Sequence, residues 1–313
     1  MEIRNLGQSG LRVSAIGLGC NNFGGRSGLE ETQTVIHKAL DLGITFFDTA
    51  DTYGEMGGSE TLMGQILGEN RKRIVLATKF ANPMDTVGVK RGASRHYIMN
   101  AVEDSLRRLR TDWIDLYQVH NPDPRTPIEE TLRALDDLIR QGKVRYIGCS
   151  NFPAWQMVEA QWTARSNGLN AFVSCQDEYS LIHRAPEADL MPAMRKYGLG
   201  LIPYAPLASG LLTGKYRRNM PLPAGTRLAN TERLAERFLT ERNWRISEGL
   251  ADFVAARGRS MLELAFSWLL AQSPVASVIA GATKPDQLEQ NVKAGDWQLS
   301  ADDLAEIERI RAG

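Results

Sequence analysis

The amino-acid sequence predicts an α/β fold, a (β/α)8 TIM barrel with an N-terminal β-hairpin and extra C-terminal helices. Short apolar or β-branched runs alternate with amphipathic helical patterns along the whole chain, which indicates βαβ units. Several of these runs, such as residues 74–77, are almost wholly apolar, as is typical of parallel strands buried on both faces. Eight strand–helix units in 313 residues fit a TIM barrel better than an open sheet.

The hairpin is predicted where residues 3–6 and 11–13 flank a turn that contains Gly7, Ser9 and Gly10. The barrel strands follow in order, and each combines apolar or β-branched residues with a polar or glycine boundary. They are predicted at residues 15–20, 44–48, 74–79, 114–119, 144–149, 172–176, 199–205 and 277–280.

The helices are predicted from apolar residues at helical spacing and from their end signals. Pro127 suits a first helical turn, where a missing N–H loses no hydrogen bond. Gly43, Gly142 and Gly198 follow helices as C-terminal caps would. The predicted helices span residues 29–42, 59–67, 94–110, 127–141, 153–167, 188–197, 242–256, 260–271, 285–292 and 301–311.

A doubly wound open sheet is the alternative fold. No Gly-x-Gly-x-x-Gly opens the first helix, which argues against it. No change of composition or linker divides the chain, so residues 1–313 are expected to form one domain. The longest non-periodic stretch, residues 206–240, follows the seventh barrel strand. In a barrel it is expected at the active-site face, beside the phosphate-binding region.

Composition excludes several classes of function. Lys+Arg and Asp+Glu both number 37, so no basic excess points to nucleic acid. No signal stretch is evident at the N-terminus, and the apolar runs are far shorter than the roughly 20 residues that span a membrane. The three cysteines are sparse and widely separated, which fits buried thiols in a reducing cytoplasm.

A metal site is not expected either. No Cys-x-x-Cys pair occurs, which disfavours structural zinc. A metal-dependent hydrolase on a barrel is a rival enzyme class, but the histidines lack the spacing of metal ligands. The four histidines are His37, His96, His120 and His183.

Polar residues follow the apolar strands where a barrel carries its chemistry, at the carboxyl ends. Asp48 ends the second strand, with Tyr53 just beyond it, and Lys79 and His120 end the third and fourth. Each has an ordinary structural explanation, such as helix capping, packing or solvation. Four such coincidences on one barrel face are improbable together, so these residues are expected to converge in an active site.

The four residue types make sense as a proton donor. A tyrosine phenol has a pKa of about 10, and a nearby lysine ammonium lowers it. A carboxylate paired with the lysine would hold it in place, and a histidine would orient a carbonyl or share in proton transfer. Such an assembly protonates an alkoxide but has no hydride, so it needs a cofactor.

Long ordered motifs at these positions resemble the aldo-keto reductase superfamily over nearly the whole chain. Within it, the sequence is most similar to bacterial reductases related to the potassium-channel beta subunits. The motifs are FFDTADTYG at residues 46–54, ATK at 77–79, LYQVH at 116–120, IGCSNF at 147–152, PYAPLASGLLTGKY at 203–216 and IAGATKPDQ at 279–287.

The resemblance implies NADP(H)-dependent reduction of an aldehyde or ketone, with Asp48, Tyr53, Lys79 and His120 as the catalytic tetrad. It implies an extended cofactor across the strand ends. The matching residues for nicotinamide are Ser150, Asn151, Gln176 and Tyr204, the last stacking on the ring. Those for the pyrophosphate lie between Leu207 and Lys215 and include Ser209 and Gly210. The residues for the adenosine 2′-phosphate end are Gly281, Thr283, Gln287 and Asn291.

Further expectations concern the phosphates and the substrate. Lys215 and Arg227 are expected to reach the cofactor phosphates from the long loop. The N-terminus of a helix starting near Pro285 offers free N–H groups for a 2′-phosphate. The substrate pocket is expected to be apolar and partly aromatic, with walls that include Asn21, Phe23 and Phe80. The rival from another class is an NADP(H)-binding regulatory or redox-sensing subunit with little turnover.

Overall fold

The computed structural model describes residues 1–313 and has an eight-stranded parallel sheet curled into a nearly closed barrel. A separate antiparallel hairpin of β1 (Ile3–Asn5) and β2 (Arg12–Ser14) precedes it. The barrel strands are β3 (Ile16–Gly19), β4 (Phe46–Asp48), β5 (Val75–Phe80), β6 (Ile114–Val119), β7 (Val144–Ser150), β8 (Ser174–Glu178), β9 (Gly200–Tyr204) and β10 (Val278–Gly281). The predicted TIM barrel and hairpin are confirmed.

The strands pair in chain order from β3 to β9, and β10 pairs with β3. An isolated parallel bridge from Leu201 to Val275 brings the two edge strands together, so the barrel is almost closed. All eight carboxyl ends therefore meet at one rim, where barrel enzymes carry their active sites.

Side chains alternate between the two faces of each strand, and this alternation builds two apolar clusters. Phe46, Ala77, Leu116 and Ile202 point into the barrel and form its smaller inner cluster. Leu6 and Val13, which flank the hairpin turn and pair in it, belong to the same cluster. The hairpin thus contributes to the barrel interior, which is a packed core below the rim.

Outward-facing strand residues such as Leu18, Phe47 and Leu76 pack in the larger cluster with the helices. None of the helices is long and apolar enough to cross a membrane. The helices are α1 (Leu29–Asp41), α2 (Tyr53–Ile66), α3 (Arg95–Leu109), α4 (Ile128–Arg140), α5 (Ala154–Ser166), α6 (Leu190–Tyr197), α7 (Glu232–Phe238), α8 (Glu241–Ala255), α9 (Met261–Leu270), α10 (Pro285–Ala294) and α11 (Ala301–Ala312).

Several helix starts follow from local capping chemistry. The Ser260 hydroxyl accepts a hydrogen bond from the Glu263 N–H, and the Glu263 carboxylate accepts one from the Ser260 N–H. This reciprocal capping box satisfies two N–H groups that the first helical turn leaves unpaired. Ser300 and Asp303 repeat the arrangement at α11.

Most predicted elements are present with ends shifted by one or two residues. Two differences matter for the site. α2 was predicted to begin at residue 59, and its regular right-handed part does begin near there, because residues 54–57 at its start have left-handed φ values. The stretch 206–240 was read as non-periodic, yet it contains a 3₁₀ turn (Ala208–Thr213) and α7. The two elements in this stretch have no clear signal in the sequence because segments of about two turns carry too little periodicity.

Candidate active site

The floor of the site is a layer of polar side chains above the apolar barrel interior. Asp48, Lys79 and Gln118 each stand two residues beyond an inner apolar residue of the same strand, so they point inward as well. Lys79 Nζ lies 2.6 Å from Asp48 Oδ2 and also donates to the Thr49 carbonyl oxygen at 2.9 Å. The predicted carboxylate–lysine pair is therefore present in the structure.

Two glutamines hold the other oxygen of Asp48. Its Oδ1 accepts hydrogen bonds from Gln176 Nε2 at 2.8 Å and from Gln118 Nε2 at 3.2 Å. Gln176 was assigned to the cofactor, and its amide nitrogen is instead used by Asp48 while its side chain still lines the cavity. Gln118 was not singled out. It lies two residues after Leu116 in β6 and two before His120, and this alternation predicts that it faces inward.

The Tyr53 ring lies against His120 and Lys79. It meets the His120 ring edge-on, with centroids 5.7 Å apart, and Lys79 Nζ lies 5.0 Å from the Tyr53 ring centroid. Burial raises the pKa of Tyr53 above its usual 10, and Lys79 opposes this rise. Lys79 therefore acts on the pKa of Tyr53 in the predicted direction, and burial outweighs it in the net shift.

The backbone after Tyr53 makes an unusual left-handed turn. Gly54, Glu55, Met56 and Gly57 have φ values of 68°, 60°, 64° and 112°. Glycine is required at position 54, because a Cβ there would lie 2.3 Å from the Phe23 carbonyl oxygen. Glu55 and Met56 adopt the same region at an energetic cost, so the surrounding contacts must impose it. The turn fixes the chain directly behind the Tyr53 ring.

His120 is neutral over the physiological range. Burial, followed by the charge of Lys79, lowers its pKa to about 3. Its Nδ1 has no hydrogen-bond partner within the protein. A neutral imidazole facing the cavity can offer a hydrogen bond to a polar ligand atom without bringing a charge.

Ser150, Asn151 and Tyr204 form a linked group beside His120. The Tyr204 hydroxyl donates to Asn151 Oδ1 at 2.8 Å, and Asn151 Nδ2 donates to the His120 carbonyl oxygen at 2.9 Å and to Ser150 Oγ at 3.0 Å. Asn151 has a φ of 59°, a region that asparagine tolerates well. The group ties the ends of three strands together and fixes the Tyr204 ring at the cavity wall.

One cavity of about 1210 Å³ connects the tetrad region to the start of α10. Asp48, Tyr53 and His120 line it, whereas Lys79 is fully buried and acts on the cavity only through its neighbours. All the residues assigned to a cofactor line this same cavity. They are Ser150, Asn151, Gln176, Tyr204, Leu207, Ser209, Gly210, Lys215, Arg227, Gly281, Thr283, Gln287 and Asn291.

The donors along this cavity fit an extended dinucleotide. Ser209 has a φ of 56° and Gly210 of 98°, which makes a sharp turn after β9. A Cβ on Gly210 would lie 3.0 Å from Lys215 Nζ, so the absent side chain lets the ammonium lie over the turn. Backbone N–H groups, a hydroxyl and an ammonium at one turn are donors that suit phosphate oxygens.

The start of α10 differs from the expectation of free N–H groups. Gln287 Oε1 accepts hydrogen bonds from the Thr283 N–H at 2.8 Å and from the Lys284 N–H at 3.3 Å. The Gln287 side chain therefore already accepts the N–H groups of the two residues that precede the helix. A 2′-phosphate there has to rely on the Thr283 hydroxyl and the Lys284 charge, or displace the Gln287 side chain.

Three residues were expected in the wall of the substrate pocket, and two of them, Phe80 and Phe23, do not line the cavity. Phe80 is fully buried and packs on Tyr117 with ring centroids 4.7 Å apart. Because Lys79 points into the barrel, strand alternation turns Phe80 outward to the helices. Phe23 is also fully buried in the outer core. Asn21 does line the cavity, with Asn22 and Arg26 beside it, so this wall is polar.

A buried cluster of acidic residues behind the tetrad was not foreseen. Glu60 is fully buried and accepts hydrogen bonds from Arg108 Nε at 2.7 Å and from Thr78 Oγ1 at 2.5 Å. Asp51 is 1% exposed, and neither carboxylate oxygen has a partner within the protein. Burial, followed by the charge of Glu60, raises the pKa of Asp51 well above its usual range. Its backbone N–H donates to the Lys79 carbonyl oxygen.

Comparisons with known proteins agree with this geometry. The chain is 37% identical over its whole length to an uncharacterized oxidoreductase, YrpG, of Bacillus subtilis and covers 97% of it. It is 38% identical to a probable voltage-gated potassium channel subunit beta of Oryza sativa, with 95% of this chain and 92% of the relative aligned. It is 36% identical to an L-glyceraldehyde 3-phosphate reductase of Escherichia coli O157:H7, with 99% and 92% aligned.

The sequence also matches the Aldo/keto reductase family over residues 15–312, which includes every barrel strand and every residue of the site. The family match and these relatives extend over the same barrel that carries the Asp48–Lys79 pair and the long cavity. The chain therefore belongs to the aldo/keto reductase family.

Proposed function

We propose that this protein is an oxidoreductase that reduces aldehydes or ketones to alcohols with NADP(H), with Tyr53 as the proton donor. Family membership supports carbonyl reduction in general. The observation that carries the finer assignment is the buried Lys79–Asp48 pair beneath Tyr53, with His120 edge-on to the same ring. Lys79 Nζ lies 5.0 Å from the Tyr53 ring centroid, so the phenol has a cation beside it that stabilises its conjugate base.

The proton step follows from the pKa values. Burial keeps the Tyr53 phenol protonated at neutral pH, which is the form that a general acid needs. As negative charge develops on the carbonyl oxygen, Tyr53 donates its proton, and the nearby Lys79 ammonium stabilises the phenolate that remains. Burial alone lowers the pKa of Lys79, but the charges of Asp48 and Tyr53 raise it, so Lys79 stays cationic.

His120 and Asp48 have supporting roles in this proposal. Neutral His120 donates a hydrogen bond to the carbonyl oxygen and aims it at the Tyr53 hydroxyl. Asp48 holds the lysine ammonium in place and is itself held by Gln118 and Gln176. When bound, the nicotinamide supplies the hydride that the carbonyl carbon accepts.

The cofactor would lie along the cavity between Tyr204 and α10. Tyr204 offers an aromatic face whose hydroxyl is fixed by Asn151, and Ser150 and Gln176 stand beside it. The turn at Ser209 and Gly210, with Lys215, would hold the diphosphate. Thr283 and Asn291 line the end of the cavity at α10. The Thr283 hydroxyl and the charge of the neighbouring Lys284 favour the 2′-phosphate of NADP(H) over NAD(H).

The experiment that tests this function is NADPH oxidation with a panel of aldehydes and ketones, followed at the NADPH absorbance band. Turnover of at least one carbonyl compound is expected, with no turnover in the absence of the aldehyde. The relative named as a channel beta subunit favours a second candidate, an NADP(H)-binding regulatory subunit. Tight NADPH binding without turnover of any carbonyl compound would favour that candidate and contradict the reductase.

A further inference from the structure

The outward face of α5 carries two exposed tryptophans. Trp155 is 64% exposed and Trp162 is 52% exposed. They are seven residues apart in one helix, so their side chains lie on the same face, two turns apart. Exposed apolar residues that are scattered singly are ordinary, whereas two large aromatic side chains on one helix face form a patch of the kind that interaction surfaces contain.

Packing within the chain does not explain this face. The opposite face of α5 already packs on the barrel, since Met157, Ala160 and Ala164 are fully buried in the larger apolar cluster. The neighbouring helix α4 shows the ordinary pattern for an outer helix, with an exposed ion pair between Arg133 and Glu129 on its outward face. In α5, apolar residues lie on both faces, and the outward ones have no partner in the core.

The Trp162 ring is held in place by two neighbours. Its Nε1 donates a hydrogen bond to the hydroxyl of Tyr197, the last residue of α6, at 2.7 Å. The Arg165 guanidinium lies over the ring, 5.6 Å from its centroid. A side chain that is already fixed loses little conformational entropy when it enters an interface, so Trp162 is suited to be an anchor.

Charges of opposite sign flank Trp162 at equal spacing. Glu159 precedes it by three residues and Arg165 follows it by three, and both are exposed and make no ion pair or side-chain hydrogen bond within the protein. In an antiparallel pair of α5 helices related by a two-fold axis at Trp162, Glu159 of one copy lies level with Arg165 of the other. A parallel pair would place like charges opposite each other. The face is therefore complementary to itself in the antiparallel arrangement.

We propose that the outward face of α5 binds a second copy of this chain and forms a two-fold symmetric dimer with antiparallel α5 helices. The two Trp162 rings pack near the axis, and two Glu159–Arg165 ion pairs form on either side of them. A stable interface buries about 800 Å² on each partner, and the exposed indoles supply on the order of 100–150 Å² each. The adjoining surfaces of α4 and α6, which pack beside α5, complete the contact. No residue of α5 lines the cavity, so both active sites stay open.

The test is sedimentation velocity over a range of protein concentrations, with variants that exchange the charges. Glu159→Arg and Arg165→Glu are each expected to raise the dimer Kd by about tenfold or more, because each places like charges opposite each other. The double variant Glu159→Arg/Arg165→Glu reverses both signs and should return the Kd to within about threefold of the wild type. Trp162→Ser is expected to raise the Kd by about 100-fold or more.

Glu30→Arg is the matched control, since Glu30 is an exposed glutamate without an ion pair in α1, on the opposite side of the barrel. Circular dichroism checks that each variant is folded. A wild type that stays monomeric at about 100 μM, a dimer that Trp162→Ser leaves intact, or a double variant as weak as the single ones would each overturn the proposal. Binding of monomeric wild type to vesicles of phosphatidylcholine and phosphatidylserine, with loss of this binding in Trp162→Ser, would assign the face to a membrane and overturn it too.

Discussion

Lys79 Nζ lies 2.6 Å from Asp48 Oδ2, and the two side chains are 0% and 2% exposed. An ion pair this deep offsets the cost of removing both charges from water only while both partners are present. Gln118 and Gln176 supply further hydrogen bonds to Asp48, as such a pair requires. The pair therefore contributes both to the stability of the barrel rim and to the proposed chemistry. Mutation can separate its effect on stability from its effect on turnover.

Lys79→Met is expected to lower the free energy of unfolding by about 3–5 kcal/mol, because Asp48 is left as an uncompensated buried charge. The double variant Asp48→Asn/Lys79→Met removes both charges and should recover most of this loss. Neither variant should recover turnover, because Tyr53 lacks its cation in both. Urea unfolding with an NADPH-oxidation assay measures both effects. A stable Lys79→Met protein, or an active double variant, would contradict this role of the pair.

His120 makes stability depend on pH in a defined direction. Burial, then the charge of Lys79, lowers its pKa to about 3 from the ordinary 6.5. The unfolded chain takes up this proton near pH 6.5 and the folded chain does not, so the stabilisation is complete above that pH and is lost as the pH falls toward 3. His120→Gln should therefore lose less stability than the wild type on acidification.

Urea unfolding of both proteins from about pH 7 to about pH 5 measures this difference, which cannot exceed about 1.4 kcal/mol per pH unit for one group. Comparison of the two proteins cancels the carboxylates that titrate in both. Identical pH dependence of the wild type and His120→Gln would show that His120 takes up its proton equally in the folded and unfolded chain.

Asp51 makes stability depend on pH in the opposite direction to His120. Its pKa is raised in the folded chain by burial and by Glu60, so folding favours the protonated acid and this contribution is lost as the pH rises through the folded pKa. Asp51→Asn is expected to gain stability relative to the wild type toward neutral pH, by roughly 1–3 kcal/mol. Asp115→Asn is the control, since Asp115 pairs with Arg71 at 2.8 Å and should lose stability. Thermal unfolding of the three proteins at several pH values measures these differences in stability. A destabilised Asp51→Asn protein would contradict the prediction.

Gln287→Glu tests the proposed 2′-phosphate position. A glutamate retains the oxygen that caps Thr283 and Lys284, so the helix should remain intact. Its negative charge would repel a 2′-phosphate, so the Kd of NADPH should rise by about tenfold or more while that of NADH changes little. Fluorescence titration with both cofactors measures this. Equal weakening of NADPH and NADH would place the 2′-phosphate elsewhere.

The barrel and the tetrad positions could be predicted from sequence because both depend on local patterns. Alternating apolar runs and helical periodicity predict the strands, and the carboxyl ends of parallel strands meet at one rim. Asp48 and Lys79 each end such a run, so their contact follows from the fold alone. Strand alternation from Lys79 and Leu116 also predicts that Phe80 faces outside the barrel and Gln118 inside it.

Other features depend on tertiary environment and have no local signal. The net pKa shift of Tyr53 is set by the balance of burial against Lys79, which only packing determines. The hydrogen bonds of Gln287 to the Thr283 and Lys284 N–H groups depend on the conformation of one side chain.

The most direct test of the central claim is Tyr53→Phe, which removes only the hydroxyl and retains the ring that packs against His120. The reductase proposal predicts that kcat for carbonyl reduction falls by at least about 10²-fold while NADPH binds with a Kd within about twofold of the wild type. Single-turnover NADPH oxidation together with fluorescence titration measures both values. A Tyr53→Phe protein that retains substantial reductase activity would contradict the assignment of Tyr53 as the proton donor.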